Sequence, residues 1–328
     1  MTVWVVLVDY NGLDDTRRCL RSLAGLQDPA RVVVVDNAGA RDVAAELMPE
    51  FPWADFVRSP HNGGWAGGNN AGLRHALARG ADWVVLLNND TVASPRLVGR
   101  LLAAAAAHPG YGVLGPVIRF LDPPHEVQTD GVVFNRPDRP GFFQRRPVPL
   151  AATDPPTVAE VDIVNGCCLA VRADVVRRIG LVDEGFFLIH EESDFCLRAR
   201  RAGFRNGVVA EALVWHKGSS TFKREGSKLQ RYFDARNIPR LLLRHPGGPG
   251  RRSSAAAWGH YLRYAYHRYA IEREAGFLVP ANAVVDGLFD ALGRRFGGYR
   301  PPGGRPGAGL LRAAFAAAWR LAGGRPAG

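Results

Sequence analysis

The stretch WVVLLNNDT at residues 83–91 decides the fold class, because five consecutive apolar residues run directly into two asparagines and an aspartate. The same arrangement occurs twice before it, where Val3–Val8 ends at Asp9 and Val32–Val35 ends at Asp36. Short continuous apolar runs are typical of parallel strands that helices cover on both faces. Helix-like segments separate the three runs, so the pattern predicts an α/β domain with a doubly wound, mostly parallel sheet.

The carboxylates that end these three runs are expected to lie together, at the sheet edge where open α/β proteins bind their ligands. Asp90, which ends the third run, could hold Mg²⁺ or Mn²⁺ there. These hard cations bridge substrate phosphates and keep bound water. Asparagine and aspartate are also common in ordinary strand-end turns, so the pattern alone leaves a structural role open.

A glycine-rich segment occupies residues 61–72, with five glycines and three asparagines ahead of a predicted helix at 68–79. Glycines let backbone N–H groups approach a diphosphate closely, and a helix N-terminus favours negative charge. The segment lacks the Gly-Lys-Ser/Thr ending of a P-loop and does not follow its strand as a GxGxxG motif should. An ordinary glycine-rich turn is the alternative interpretation.

Two further polar clusters could carry chemistry. Glu191, Glu192 and Asp194 begin a predicted helix, where a carboxylate could serve as general base for a sugar hydroxyl. Acidic residues are also favoured in a first helical turn by the helix dipole, so the cluster alone does not distinguish a catalytic role from a structural one. His216 and Lys217 follow another strand-like run. A lone histidine is more often structural than a ligand, and Lys217 could pair with a departing phosphate or belong to a solvated loop.

In this order and spacing, the segments resemble glycosyltransferase family 2 of the GT-A fold, close to its bacterial rhamnosyltransferase-like branch. The resemblance runs over about residues 3–245, with weaker similarity to about 298. The matching segments are residues 8–12, 34–38, 62–72, 87–91, 165–172, 185–200, 216–220 and 232–237.

The resemblance implies an inverting glycosyltransferase that moves a sugar from a nucleotide diphosphate donor to a hydroxyl of a glycan or lipid-linked acceptor in cell-surface polysaccharide synthesis. L-rhamnose from dTDP-rhamnose is the implied donor. Asp90 and His216 would bind the divalent metal, Mg²⁺ or Mn²⁺. The implied nucleotide-sugar-binding residues are Tyr10, Asn11, Asp36, Asn62, Gly68, Asn69, Asn89, Gly166 and Lys217.

The resemblance also assigns the catalytic roles, with Glu192 as the general base and Glu191 positioning the sugar. The usual pair in the family is Glu-Asp, so Glu192 is one methylene longer than the expected base. The first strand departs from the family as well, since Asp9 stands where an asparagine usually precedes Tyr10.

Two other functions are compatible with parts of this pattern. A sugar-1-phosphate nucleotidyltransferase can share the sheet architecture, but it should carry a glycine-rich loop with Arg or Lys after the first strand, and residues 10–12 (Tyr-Asn-Gly) offer none. A catalytically inactive subunit that binds a glycan or a partner enzyme is the second alternative. The retained acids and His216 argue against it.

The charge is concentrated in the last 88 residues, where thirteen arginines against four acidic residues carry +9 of the total net charge of +11. We therefore expect a GT-A domain at 1–240, with a donor half at about 1–115 and an acceptor half at about 116–240, and a helical basic tail at 241–328. A polar, proline-rich stretch at 121–156 predicts a long loop or hairpin region.

The basic tail could contact an anionic membrane surface, where a lipid-linked acceptor would lie. A solvated appendage and an oligomerisation element are the alternatives. Four cysteines without a CxxC pair, and no window of about 18 apolar residues, predict a cytoplasmic protein, and the basic tail leaves peripheral contact with the inner face of the plasma membrane open. The near-neutral body argues against a nucleic-acid partner.

Overall fold

The computed structural model describes residues 1–133, 144–145, 156–218, 227–245, 254–300 and 307–323 of the 328-residue chain. These residues form two compact units. The first comprises residues 1–133, 144–145, 156–184 and 191–218, and the second comprises residues 185–190, 227–245, 254–300 and 307–323. The predicted loop region at 121–156 lies partly outside the described residues.

The first unit alternates strands and helices. Its strands are β1 (Val3–Asp9), β2 (Arg31–Asp36), β3 (Asp55–Arg58), β4 (Trp83–Asn88), β5 (Thr91–Ala93), β6 (Tyr111–Phe120), β7 (Val127–Thr129), β8 (Val132–Val133), β9 (Gln144–Arg145), β10 (Val158–Val161), β11 (Cys168–Arg172) and β12 (Arg205–His216). Its helices are α1 (Leu13–Ala24), α2 (Val43–Leu47), α3 (Gly64–Ala78), α4 (Leu97–Ala107), α5 (Ala173–Ile179) and α6 (Glu191–Arg201).

The central sheet has the order β10-β12-β6-β11-β4-β1-β2-β3, with β5 paired to β12 and β7 to β6. The four strands β3, β2, β1 and β4 are parallel, as are β6 and β12. β11 is antiparallel to both of its neighbours, β4 and β6. The predicted doubly wound α/β fold is confirmed, and the sheet becomes mixed where β11 enters it.

Burial on both faces explains why the valine-rich runs form strands. Along β1, Val5 and Leu7 enter the core on one side of the sheet, whereas Trp4 and Val6 enter the core on the other. The helix α3 comes so close to this strand that a Cβ added at Gly72 would lie 2.1 Å from Cγ1 of Val6. Neither face of a strand covered by helices in this way is exposed to solvent. Its sequence is therefore apolar throughout and does not alternate with polar residues.

The strand register brings the polar ends of the three runs together. In the parallel ladders, Asp9 pairs with Asp36 on β2, and Val8 pairs with Asn88 on β4. The carboxyl ends of β2, β1 and β4 therefore lie side by side at one edge of the sheet, as predicted. The peptide after β4 carries Asn89 and Asp90 directly out from that edge.

The second unit is helical. It consists of the segment 185–190 together with α7 (Lys228–Arg244), α8 (Ser254–Glu274), α9 (Leu278–Leu292) and α10 (Ala308–Leu321). Its apolar core includes Tyr261, Val285 and Trp319. A Cβ added at Gly287 would lie 2.3 Å from the carbonyl oxygen of Tyr232, so α7 and α9 cross with their backbones in close approach. The predicted boundary between residues 240 and 241 lies inside α7.

The last described helix, α10, has an uneven surface. Arg312 bonds to Asp286 on α9, and Trp319 is buried. The opposite side carries Leu310 and Leu321, which are 80% and 89% exposed. In the part of the chain that the structure describes, no helix combines the length and the apolar character that a membrane crossing requires.

Candidate functional site

Asp9 ties three elements together at the strand ends. Its carboxylate, 1% exposed, accepts hydrogen bonds from Oγ1 of Thr16 at 2.5 Å and from Nδ2 of Asn89 at 3.5 Å. Asn89 also donates to Oγ1 of Thr16 at 2.8 Å. Burial, and to a smaller extent the neighbouring charge of Asp36, raises the pKa of Asp9. Asp9 and Asn89 thus hold the start of α1 against β1 and β4, and the donor contact predicted for Asn89 stays a prediction.

Tyr10, Asn11 and Asp36 line the next part of the edge. Asp36 is 4% exposed, and its Oδ1 accepts a hydrogen bond from the backbone of Gly39 at 3.2 Å. Asn11 has a positive φ of 56°, and its Oδ1 accepts a bond from the backbone of Ala40 at 2.8 Å. Tyr10 is 40% exposed. A buried carboxylate beside an accessible aromatic ring suits a ribose and a base, the roles predicted for these residues.

Asn37, which had no predicted site role, connects β2 to the glycine-rich segment. Its Nδ2 donates to Oδ1 of Asn62 at 3.1 Å and to the carbonyl of Gly64 at 3.0 Å, and its Oδ1 accepts from the backbone of Gly63 at 3.1 Å. Asn62 in turn accepts a bond from the backbone of Gly64 at 2.8 Å. The signal was present in the sequence as an asparagine directly after a strand-ending aspartate.

The helix α3 begins at Gly64, four residues before its predicted start at Gly68. Gly68 and Asn69 are therefore inside the helix. A Cβ added at Gly68 would lie 2.5 Å from Cγ1 of Val8, and Asn69 donates to the carbonyl of Trp65 at 2.9 Å. The structure gives both residues packing roles, and their predicted contact with the donor remains a prediction.

Asp90 and His216 face each other in a buried corner. Oδ1 of Asp90 lies 3.1 Å from Nε2 of His216, and the two residues are 8% and 6% exposed. The pairing of β5 with β12 sets this approach, because His216 pairs with Thr91. The two side chains predicted as metal ligands are therefore brought together.

The other ring nitrogen of His216 also has a partner. Nδ1 lies 2.8 Å from Oε1 of Gln128, and an amide oxygen only accepts, so Nδ1 is the donor. In the neutral ring Nε2 then carries a lone pair, and it makes no hydrogen bond to the described residues. A lone pair that faces a carboxylate oxygen at this distance is unfavourable unless a proton or a metal ion lies between them.

This donor set fits a divalent cation. Metal-binding histidines commonly donate their second N–H to an oxygen acceptor, as His216 does to Gln128. Among the described residues, no group of three or more His, Cys, Asp and Glu side chains is arranged around a common point. Two protein ligands suffice for a cation such as Mg²⁺, which takes substrate phosphates and water as its remaining ligands.

Lys217 lies beside this pair. Its backbone N–H donates to the carbonyl of Asp90 at 3.0 Å, and its Nζ lies 3.0 Å from each carboxylate oxygen of Asp15 on α1. The side chain is 45% exposed. A diphosphate would have to share this ammonium with Asp15, and the predicted contact of Lys217 with the donor stays a prediction.

Trp65 links the end of β4 to the predicted base. Its Nε1 donates to Oδ1 of Asn88 at 3.0 Å. A Cβ added at Gly166 would lie 3.4 Å from Cζ2 of Trp65 and equally far from Cβ and Cγ of Glu192. Gly166 therefore separates the indole from the side chain of Glu192 by the width of one small residue. Sequence reasoning gave Trp65 no role, because its partner is 23 residues away.

The acidic pair begins α6, as predicted. Glu191 is 5% exposed, whereas Glu192 is half-buried and accepts a bond from Oγ of Ser193 at 3.1 Å. Of the two, Glu192 is the carboxylate that solvent or a substrate can reach. It is also the one that adjoins Gly166.

The cysteines do not offer a nucleophile. All four are free and buried, and burial raises the pKa of Cys19 and Cys196 to about 12. Their thiols are therefore protonated at neutral pH, and a thiolate is the reactive form. Besides its amides and aromatic rings, the site offers carboxylates, the imidazole of His216 and the ammonium of Lys217.

The chain is similar to proteins that transfer sugars. The family model described as "Glycosyltransferase like family 2" matches residues 3–235. Galactofuranosyltransferase GlfT1 of Mycobacterium tuberculosis is 28% identical over 320 residues, 93% of this chain and 98% of that protein. The N-acetylglucosaminyl-diphospho-decaprenol L-rhamnosyltransferase of the same species is 28% identical over 263 residues, 74% and 85% of the two chains.

Solved structures share the fold at low sequence identity. A mannosyltransferase from Pyrobaculum calidifontis, in complex with GDP-Man and Mn²⁺, has a TM-score of 0.53 at 17% identity and covers 97% of this chain and 80% of its own. TarS 1–349 from S. aureus, in complex with UDP-GlcNAc, has a TM-score of 0.54 at 18% identity and covers 98% and 90%.

Proposed function

The chain belongs to glycosyltransferase family 2 and is a glycosyltransferase, and we propose that it inverts the anomeric centre as it moves a sugar from a nucleotide diphosphate to an acceptor hydroxyl. The observation that carries this proposal is the chain of contacts from the end of β4 to the base. Asn88 bonds to Trp65, and Trp65 adjoins Gly166 across from Glu192. A sugar held at the strand ends would thus lie within reach of a carboxylate.

Glu192 takes the proton of the acceptor hydroxyl while the acceptor oxygen forms a bond to the anomeric carbon. The bond from that carbon to the diphosphate oxygen breaks on the opposite face, and the electron pair leaves with the diphosphate. One displacement inverts the centre, and no enzyme nucleophile is required. The buried cysteine thiols are consistent with this. Gly166 lies beside the Glu192 side chain, because a Cβ added at Gly166 would be 3.4 Å from Cβ and Cγ of Glu192.

Asp90 and His216 would hold the divalent cation, Mg²⁺ or Mn²⁺, in this mechanism. When bound, the cation stabilises the charge that develops on the departing diphosphate. The support from this chain is the buried Nε2 of His216, which faces the carboxylate of Asp90 at 3.1 Å. Asp36 and Tyr10 would hold the ribose and base at the neighbouring strand end.

For the donor sugar, we propose L-rhamnose carried by dTDP. L-rhamnose is the sugar in the name of a relative that aligns with this chain over 85% of its own length. An activated galactofuranose is the second candidate. It is favoured by the alignment with a galactofuranosyltransferase, which covers 98% of that protein's length. Cell-surface polysaccharide synthesis in the cytoplasm is the process that fits both.

We propose a lipid-linked glycan as acceptor, reached at the membrane surface. One relative is named for an acceptor on diphospho-decaprenol. The last 88 residues carry +9, and α10 exposes Leu310 and Leu321. An apolar helix side next to basic residues is typical of peripheral contact with anionic lipid.

A donor screen tests the proposed function. The full chain is mixed with a panel of nucleotide sugars in the presence and absence of Mn²⁺, and the melting temperature and the release of nucleoside diphosphate are recorded. We expect metal-dependent stabilisation and slow donor hydrolysis with dTDP-L-rhamnose or nucleotide-linked galactofuranose. Absence of both signals across the whole panel would contradict the proposal.

A further inference from the structure

The segment Gly185–His190 has an unusual backbone. Phe187, Ile189 and His190 have positive φ values of 64°, 68° and 74°. Residues other than glycine rarely adopt this conformation, and a β-branched isoleucine resists it most. Three such residues within four positions persist only where surrounding contacts enforce them. The segment runs without interruption into Glu191 and Glu192 at the start of α6.

Two adjacent side chains on α7 enforce this backbone. Asn237, fully buried, donates through Nδ2 to the carbonyls of Phe186, Leu188 and Ile189 at 3.0, 2.7 and 2.7 Å. Arg236, also fully buried, donates to the carbonyl of Phe186 at 2.6 Å and to that of Gly297.

The two side chains also fix each other. Nε of Arg236 donates to Oδ1 of Asn237 at 2.9 Å, which turns the amide of Asn237 so that its N–H groups point at the segment. Burial lowers the pKa of Arg236, yet the guanidinium is retained among backbone carbonyls and aromatic rings such as Phe233, 4.7 Å away. A buried guanidinium used in this way serves to position backbone.

A third contact holds the end of the segment. Nε2 of His190 lies 3.0 Å from Oδ1 of Asp234, and Oδ2 of Asp234 accepts a hydrogen bond from the hydroxyl of Tyr264 on α8 at 2.5 Å. His190 is the residue immediately before the acidic pair. Its side chain is therefore fixed one residue ahead of Glu191.

We propose that Asp234, Arg236 and Asn237 form a positioning clamp for the catalytic base: they hold the left-handed backbone of Phe187, Ile189 and His190, in the segment that continues directly into Glu191 and Glu192. The inference rests on the proposed function, in which Glu192 is the base. The clamp residues themselves are positioning residues, since their contacts are to backbone carbonyls and to His190.

The test is the variant Asn237→Ala, with Arg312→Met as the matched control. Both remove buried or half-buried hydrogen bonds of the second unit, but Arg312 bonds to Asp286 and to no atom of residues 185–190 among its described contacts. For Asn237→Ala we expect kcat to fall by about 100-fold, as for a misplaced catalytic group, while the KM for the donor stays within about twofold. Arg312→Met should lower the melting temperature and leave kcat unchanged.

A combined variant separates positioning from stability. The carboxylate of Glu192→Asp is already displaced. If the clamp acts through residue 192, then Asn237→Ala should lower kcat by a much smaller factor in the Glu192→Asp background than in the wild-type chain. Equal fold losses in both backgrounds would overturn the proposal. Should Asn237→Ala fail to fold, Asp234→Asn keeps the shape of the side chain and should still lower kcat several-fold with an unchanged donor KM.

The outcomes also separate this inference from the proposed function. Full transfer by Glu192→Gln would reject the base, and with it the clamp. Loss of transfer in Glu192→Gln together with a wild-type kcat in both Asn237→Ala and Asp234→Asn would reject the clamp alone.

Discussion

Nε2 of His216 lies 3.1 Å from Oδ1 of Asp90, with both side chains buried and Nδ1 of His216 bonded to Gln128. The donor at Nδ1 leaves a lone pair at Nε2 that faces a carboxylate oxygen. Two such acceptors repel each other, so either a proton on Nε2 or a metal ion between the two groups would stabilise the arrangement.

Removing either member should weaken cation binding. We expect Asp90→Asn and His216→Gln each to reduce Mn²⁺ affinity by at least about tenfold, because each would remove one of the two proposed protein ligands. Electron paramagnetic resonance of free Mn²⁺ in the presence of a nucleoside diphosphate measures this without turnover. Asp174→Asn, at a carboxylate paired with Arg172, is the control and should bind as the wild type does. Unchanged Mn²⁺ affinity in both site variants would show that the pair holds a proton instead.

The size of the side chain at position 166 should affect kcat, because this position adjoins the proposed base Glu192. A Cβ there makes ordinary contacts of 3.4 Å with Trp65 and Glu192, whereas a branched side chain would push them apart. We expect Gly166→Ala to keep kcat within about threefold and Gly166→Val to lower it by about 100-fold, since small displacements of catalytic groups have effects of that size. Steady-state transfer kinetics measure both. Equal activity of the two variants would contradict the proposed packing.

Asp9 should make the stability of the fold depend on pH. Burial raises its pKa in the folded chain, so the folded state binds more protons than the unfolded state between the two pKa values, and stability falls as pH rises through that window. Asp9→Asn removes this penalty. We expect a melting temperature a few degrees above that of the wild type at pH 7, and a smaller difference at pH 4. A gain that is larger at pH 4 than at pH 7 would contradict the sign.

The exposed side of α10 should contribute to membrane contact. We expect Leu310→Ser combined with Leu321→Ser to weaken binding to vesicles with anionic lipid by about tenfold, because both leucines are more than three-quarters exposed and free to enter the interface. Co-sedimentation measures the binding. Met48→Ser combined with Trp53→Ser changes exposed apolar residues of the first unit and is the control. Equal losses in the two pairs would contradict a specific role for α10.

The sheet and its polar edge were predictable because buried parallel strands leave a direct mark on the sequence. The runs that end at Asp9, Asp36 and Asn88 form β1, β2 and β4, and their register aligns those ends. The start of α3 was predicted four residues late, because its first turn contains Gly64 and Gly67, and glycine has a low helix propensity.

Contacts over long sequence separations could not be predicted. Asn237 donates hydrogen bonds to three residues about fifty positions away in the sequence. All three acceptors are backbone carbonyls, so no pattern of side chains predicts them. Trp65 meets Gly166 only because α3 and the turn before β11 converge on one edge. Glu192 could be named as a candidate base from the sequence, whereas the contacts of the segment that precedes it are visible only in the fold.

The central claim is that Glu192 removes the proton from the acceptor hydroxyl, whereas other residues, at the strand ends, bind the donor. The most direct measurement is transfer by Glu192→Gln, together with its affinity for the nucleotide sugar. We expect kcat to fall by about 1,000-fold or more, the size of a lost general base, while the Kd of the donor stays within about twofold. Turnover at the wild-type rate by Glu192→Gln would contradict the account.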